Sequence, residues 1–538
     1  MDMQIPQSRN ISTHAKVLSP FIKLMGTTML SRIFGFLREI VIAAFFGAGK
    51  GTDIFFVAFT IPTLFRRILG EEMVERAAMP LVKARISKGK VKEGWKLAST
   101  QFMILFILLI IILTLLYIFA PYLIKIISPG LSYHDHILAL KTSYIVLPFM
   151  VIIGISSFFG AILLFFEKPI PYGTAPVMLS LGVISGIILF HSKIGIYAIA
   201  IGFILGGAAQ LFFQLPFVFF GHIKKKYKFY LKLNLSFDDE DIKKSGKEGG
   251  WILLNSIFTK SVEVVDRIVA SFLATGSISS LWYGQRLIQL PSAIFGLSLS
   301  RAIFPLLTEN FAKDDIYGFK KVLLRGIKYN FFLMLPLTVM IILLSEPICK
   351  LVFERGVFNI KNTYMTSIAL SFYAVGLIGI SGTNLLSRAY SSIIKNKVVM
   401  IITAIGSFLN IILNITLAKT ALRHGGIALA SSISFIFIAI SLLILINKEM
   451  KQKGEFIKRN ELFSPFIKSG IASCVMGMFI WLLFPFLDNI IKFSFLKNRI
   501  IDIDLLIILL LTFLLGAFIY LTFYMGINLF IKKFLKNF

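Results

Sequence analysis

The stretch Ser31–Pro80 carries Arg32, Arg38, Glu39, Asp53, Arg66, Arg67, Glu71, Glu72, Glu75 and Arg76 within what hydropathy predicts to be two membrane-spanning helices joined by the Gly-rich turn 47–51. A charge near the bilayer centre costs about 2.5–3.5 kcal/mol on insertion scales, so such groups face a bundle interior or a wet cavity. Further along, Lys260, Glu263, Asp266 and Arg267 fall midway through an apolar segment and Arg286 lies in the next one. At 1.5 Å rise per residue, these cations sit within roughly 10 Å of one membrane depth. The chemistry this suits is anion binding, because arginine presents a planar fork of donors that matches phosphate oxygens. Nearby acids would hold an empty basic cavity near neutrality.

Each residue also has a structural reading. Glu263 and Arg267 stand at i, i+4 with Lys260 one turn earlier, and a self-compensating ladder is as good an account of them as a site. Glu72 and Arg76 form a similar pair near a helix end, where snorkelling is easy and structure is the better reading. Asp53 follows Thr52 at a helix start and suits capping or dipole compensation. Arg38 and Glu39 are neighbours, so they are expected on different faces. Arg286 has only Gln285 and Gln289 around it, with no acid in its own helix, and is the leading candidate; the Arg66–Arg67 doublet follows. Asn410 and Asn414 share a face, for interhelical hydrogen bonding or, more sharply, ion coordination. The run DDED at 238–241 reads as a solvated acidic turn at a helix start, and His134 and His136 as loop residues. There is no P-loop, HExxH or GxSxG, which argues against an ATP-driven pump and the common hydrolases.

The elements that position these residues are all helical. The chain is 57% hydrophobic and 15% charged, with 54 Phe against 4 Trp, and mean hydropathy is +0.84; soluble domains are nearer 25% charged. This is an all-α polytopic membrane protein. The formal net charge of +29 fits Lys and Arg in cytoplasmic loops better than nucleic-acid binding. Cys349 and Cys474 provide neither a disulfide framework nor a metal cluster. The first residues are polar and lack the apolar core of a signal peptide. About fourteen spanning segments are predicted, near 20–46, 53–82, 98–127, 138–166, 174–192, 195–220, 249–274, 279–309, 328–353, 363–391, 397–418, 425–447, 465–487 and 501–531. Lys and Arg concentrate in alternate connections (83–96, 223–233, 313–328, 448–459), which predicts both termini in the cytoplasm. The expected organisation is an N-lobe (1–220), a cytoplasmic linker (221–248), a C-lobe (249–450) and a C-terminal helix pair (451–538). The two lobes open alike: Arg38, Gly49 and Pro62 in the first, Arg267, Gly276 and Pro291 in the second. Repeated halves around a central site are a recurring transporter architecture.

At these residues the sequence resembles a known family. SRIFGFLREIVIAAFFGAGKGTDIFFVAFTIPTLFRRILGE (31–71) is similar to the opening of the MurJ/MviN lipid II flippases, of the multidrug/oligosaccharidyl-lipid/polysaccharide exporter superfamily. DRIVASFLATGSISSLWYGQRLIQLPSAIFG (266–296), FERGVF (353–358) and LLSRAYSS (385–392) resemble later blocks. The resemblance implies a MATE-like fold of two six-helix lobes around a cationic cavity, with two C-terminal helices forming a groove. It implies alternating access that moves the lipid-linked peptidoglycan precursor to the outer leaflet of the bacterial inner membrane, and no enzyme activity or cofactor. It places the substrate site on Ser31, Arg32, Arg38, Glu39, Asp53, Arg66, Arg67 and Arg286. It suggests Na⁺ or membrane-potential coupling, with Asp266, Asn410 and Asn414 resembling Na⁺ ligands, although Asn414 stands where an acid is expected. The implied partners are lipid II, membrane lipids and the cell-wall synthesis machinery, with a monomeric chain. The alternatives are a flippase for another polyprenyl-linked glycan and a membrane-embedded glycan transferase, for which DDED would be the site.

Overall fold

A computed structural model describes residues 8–66, 73–75, 77–166, 168–232, 239–491 and 502–536. The elements are α1 (Ser8–Phe46), α2 (Lys50–Phe65), α3 (Met79–Ser87), α4 (Val91–Ile127), α5 (Tyr133–Val146), α6 (Pro148–Phe165), α7 (Pro169–Ile194), α8 (Tyr197–Phe219), α9 (His222–Tyr227), α10 (Glu240–Ser271), α11 (Ser277–Pro291), a π-helical turn (Ser292–Leu297), α12 (Ser298–Ala312), α13 (Ile316–Leu343), α14 (Ser345–Phe353), α15 (Ile360–Val375), α16 (Leu377–Ser392), α17 (Asn396–Leu417), α18 (His424–Gln452), α19 (Arg459–Ile491) and α20 (Ile503–Lys536). No strand occurs among the described residues.

Ten helical stretches among the described residues are long and apolar enough to cross a membrane, and the α15–α16 pair, bent by 43°, makes up to eleven. The count of fourteen is not confirmed. The difference is confined to 20–46, 53–82 and 249–274, the counterparts of α1, α2 and α10. These segments carry Arg32, Arg38, Arg66, Asp266 and Arg267, and the count covers the described residues alone. Several predicted segments are subdivided: 138–166 starts earlier and breaks at Leu147–Pro148, 279–309 contains the π-helical turn, 328–353 breaks between α13 and α14, and 363–391 breaks between α15 and α16. Proline explains the first break, because it lacks the N–H that would continue the ladder.

The chain divides into two compact units, Met1–Phe46 with Lys50–Lys260, and Gly47–Gly49 with Ser261–Phe538. The boundary falls inside α10. In the first unit, α7 and α8 approach closely through Gly182 and Gly186 facing Gly206 and Gly202; a Cβ on Gly186 would lie 2.6 Å from Gly202 Cα. Small residues at such spacing let backbones pack where lipid offers no hydrophobic drive. Phe55, Phe59, Phe149 and Phe203 stack into one aromatic cluster. Trp95 is fully buried and its indole N–H donates to Tyr227 O at 2.7 Å.

In the second unit, the turn Gly47–Gly49 is pinned by Asn362, whose Nδ2 donates to Ala48 O (2.8 Å) and whose Oδ1 accepts from Ala48 N (3.1 Å). Gly47 has φ +66° and a Cβ there would meet Asn362 Oδ1 at 3.0 Å, so glycine is required on both counts. Asn359 and Asn362 close the N-terminus of α15 reciprocally. The α19–α20 pair packs on α13 and α14 through Ala472, Met476, Ile480, Leu505, Leu509 and Tyr520 around Met340 and Leu344.

Candidate functional site

In the first unit, α1 and α2 carry the predicted arginines. Arg32 is exposed, and Ser31 Oγ donates to Thr28 O at 2.9 Å. Arg38 and Glu39, neighbours on different faces of α1, nevertheless pair: Arg38 Nη2 reaches Glu39 Oε1 at 2.8 Å, with Glu39 almost fully buried. The long guanidinium side chain curls past its own backbone to reach a neighbour that helical spacing alone would exclude. Arg38 Cζ also lies 5.2 Å from the Phe203 ring centroid, and its Nε is buried with no hydrogen-bond partner among the described residues. Asp53 is 5% exposed in the first turn of α2, and Arg66 is half-buried at its end. Glu75 accepts from the Tyr172 hydroxyl at 2.8 Å. Arg67, Glu72 and Arg76 lie outside the described residues.

In the second unit, α10 and α11 bring two arginines to one ring. Arg286 Cζ lies 4.1 Å from the Trp282 centroid and Arg267 Cζ lies 5.3 Å from it. Arg286 Nη1 donates to Gln289 Oε1 at 3.0 Å, and the buried Arg267 donates to Ile278 O at 3.4 Å. The surroundings of Arg286 thus include an aromatic face that the residue-by-residue reading overlooked. Trp282 precedes Arg286 by four residues, the spacing that puts two side chains on one helical face; that signal was present and unread.

Asp266, one residue before Arg267, enters a different environment. Asn414 Nδ2 donates to Asp266 Oδ1 (2.6 Å) and to Asn410 Oδ1 (2.9 Å), while Asn410 Nδ2 donates to Ser431 Oγ (3.2 Å). Asp266, Asn410 and Asn414 are buried, and Asn414 Oδ1 has no hydrogen-bond partner among the described residues. The chain α10–α17–α18 is the interhelical bonding expected of the two asparagines. Ser431 was not anticipated, since serine in an apolar helix carries no distinguishing pattern. Among the described residues no group of three or more His, Cys, Asp or Glu side chains could hold a metal ion.

The acidic run at 238–241 is not simply a solvated turn. Arg85 Nε donates to Asp241 Oδ2 and Nη1 to Asp239 Oδ2, both at 2.6 Å, and Nη2 also pairs with Asp239 Oδ1. The guanidinium holds the Asp239 carboxyl below its usual range, and the carboxylates in turn raise Arg85. Asp238 lies outside the described residues. His136 bonds through Nε2 to Ser128 O at 2.7 Å and closes a turn, a structural role.

The family model for the lipid II flippase MurJ matches residues 42–501. The probable lipid II flippase MurJ of Buchnera aphidicola subsp. Acyrthosiphon pisum (strain APS) is 30% identical over 499 residues, 89% of this chain and 94% of the relative. That of Rickettsia prowazekii (strain Madrid E) is 30% identical over 416 residues, 77% and 80% of the two chains. Among solved structures, a lipid II flippase MurJ in an inward closed conformation superposes with a TM-score of 0.76 at 26% identity, covering 96% of this chain and all of that one. A multidrug resistance MATE family transporter of the MOP superfamily, inward-facing, shares the fold with a TM-score of 0.67 at 16% identity, over 80% and 98%. With a model match across most of its length and these relatives, the chain belongs to the lipid II flippase MurJ family.

Proposed function

We propose that this chain carries lipid II from the cytoplasmic to the outer leaflet of the bacterial inner membrane by alternating access, both termini being cytoplasmic. The observation that carries the reading is the crowding of two guanidinium groups, Arg267 and Arg286, on the Trp282 ring. Two like charges that close are stabilised by an anion, which acidic side chains supply in the empty carrier and a diphosphate in the loaded one. Arg32, Arg38, Arg66, Arg67 and Arg286 bind the diphosphate, with Ser31, Glu39 and Asp53 setting their positions, while the polyprenyl tail stays in lipid. Substrate binding lowers cation repulsion and permits the change of access.

The membrane potential, negative inside, opposes outward movement of an anion by roughly 2.3 kcal/mol per charge per 100 mV, so it favours the inward return of the empty cationic carrier. Asp266, Asn410 and Asn414 form the site of a coupling Na⁺: the carboxylate and Asn414 Oδ1, which has no hydrogen-bond partner among the described residues, are the hard oxygen donors this ion prefers. The chain acts as a monomer beside the enzymes of cell-wall synthesis and performs no catalysis. The test is depletion of the protein with tracking of the leaflet in which lipid II accumulates. Accumulation in the cytoplasmic leaflet, restored by the parent and not by Arg286→Ala, is expected. Unchanged leaflet distribution on depletion would sink the proposal, and Na⁺-independent flipping in reconstituted vesicles would remove the coupling.

A further inference from the structure

A cavity of about 290 Å³ opens beside the first three turns of α13 and the start of α19, lined by Tyr317, Lys320, Lys321, Arg325, Lys328 and Glu461 among others. Lys321, Arg325 and Lys328 stand at i, i+4 and i+7, so they form one column about 10 Å long on a single helix face. Among the described residues the only lining carboxylate is Glu461, and it is already engaged. It lies 3.7 Å from Lys320 Nζ and accepts from Lys458 N at 2.8 Å. Lys320, whose side chain is 13% exposed, also bonds Glu455 at 3.2 Å. The other three cations form no ion pair with any described residue, so the cavity keeps a clear positive excess.

Its position narrows the ligand. The column occupies the Lys- and Arg-rich end of the span Ile316–Leu343, the depth at which lipid headgroups lie. Just beyond it, Phe466 (42% exposed), Ile467 (51%) and Tyr329 (50%) offer apolar surface, with Phe466 seated against Phe331 at 5.3 Å between ring centroids. Cations above an exposed apolar strip match a phosphate carried on acyl chains, and basic pockets at the ends of membrane helices are a known lipid-headgroup geometry. The volume is at the small end of ligand clefts, which suits a headgroup and not a large glycan.

We propose that this cavity binds a phosphate-bearing anion, and that the surroundings favour the phosphodiester headgroup of an anionic membrane lipid over a soluble phosphate. None of the arginines assigned to substrate is among its lining residues. The test titrates the full-length protein, purified in a neutral detergent, with dioctanoyl phosphatidylglycerol, dioctanoyl phosphatidylcholine and inorganic phosphate, reading binding by calorimetry. Phosphatidylglycerol is expected to bind more tightly than either of the others. Each cation near a charged group changes binding about fivefold, so the triple variant Lys321→Gln/Arg325→Gln/Lys328→Gln should weaken it about a hundredfold. The single Lys321→Gln should weaken it about fivefold, which keeps the test valid if the triple variant folds poorly. Removing equal charge from α9, as Lys224→Gln/Lys225→Gln/Lys226→Gln, should leave binding unchanged. Equal loss in the α9 variant would reduce the effect to bulk charge and overturn the site. Equal binding of phosphatidylcholine, or no difference between parent and triple variant, would overturn it as well. Inorganic phosphate binding as tightly as phosphatidylglycerol, and lost in the same variants, would overturn the lipid source.

Discussion

Arg85 and Arg286 show two ways of holding a guanidinium. Arg85 closes the donor edge of its fork on Asp239 and Asp241, outside the membrane spans. Arg286 lies over the face of Trp282, with one donor on Gln289, and Arg267 approaches the same ring. Contact with a ring uses the face of the guanidinium, whereas its five N–H donors point outward in the plane. The first arrangement fixes two pieces of chain together. The second sets a cation against an aromatic ring within a spanning segment, an arrangement that suits the anion site proposed for Arg286.

The largest expected effect separates the two. Arg286→Ala should lower flipping by about tenfold or more, while Arg85→Gln should leave the rate nearly unchanged and affect stability alone. Reconstituted flipping with thermal unfolding on the same samples reads both. Full activity in Arg286→Ala, or a flipping defect in Arg85→Gln without loss of stability, breaks the comparison.

Asp266 adds a third kind of group, held by the Asn414 amide. Removing a partner from a hydrogen bond to a charged group costs about 1.5–3 kcal/mol, so Asp266→Ala should destabilise the protein by that order as the Asn414 amide loses its acceptor. Asp266→Asn keeps the shape and should cost less. If Na⁺ binds here, added Na⁺ should raise the unfolding temperature of the parent and not of Asp266→Ala. Identical Na⁺ shifts in both would place the ion elsewhere.

How much of this was legible in the sequence depends on distance along the chain. The helical class, the apolar segments and the mid-span charges follow from composition and periodicity. The Asn410–Asn414 contact follows from i, i+4 spacing, and so would Arg286–Trp282 had the ring been weighed with the charge. The Arg85–Asp239 pair joins residues 154 apart, and no local pattern announces it; the acidic run therefore read as solvated. Arg38–Glu39 failed for the opposite reason: the spacing rule treats side chains as short, and arginine is not. The place of Gly47–Gly49 in the second unit rests on the side chains of Asn362 and Tyr283, both more than two hundred residues away.

Trp282 offers a smaller effect that sharpens the comparison. A cation over an aromatic face is stabilised by about 0.5–2 kcal/mol. Trp282→Phe keeps a face and should lower flipping less than Trp282→Ala, and both less than Arg286→Ala. Flipping measured across the three variants checks the order. If Trp282→Ala matches Arg286→Ala in full, the ring does more than orient the cations and contacts the substrate itself.

The smallest effect is a pH dependence confined to Arg85. Its guanidinium holds the Asp239 carboxyl below its ordinary value, so the folded state binds this proton less readily than the unfolded chain. The stabilisation is therefore fully present above the ordinary carboxylate range near about 4 and is lost as pH falls through the lower folded value. A partly exposed ion pair contributes about 0.2–1 kcal/mol. The unfolding temperature of the parent should exceed that of Asp239→Asn by a small, constant margin from pH 5 to 8, and the margin should close on acidification below about 4. A margin that persists in acid would mean that Asp239 acts through packing and not through its charge, and the contrast between an arginine fixed by carboxylates and one held by a ring would then rest on Asp241 alone.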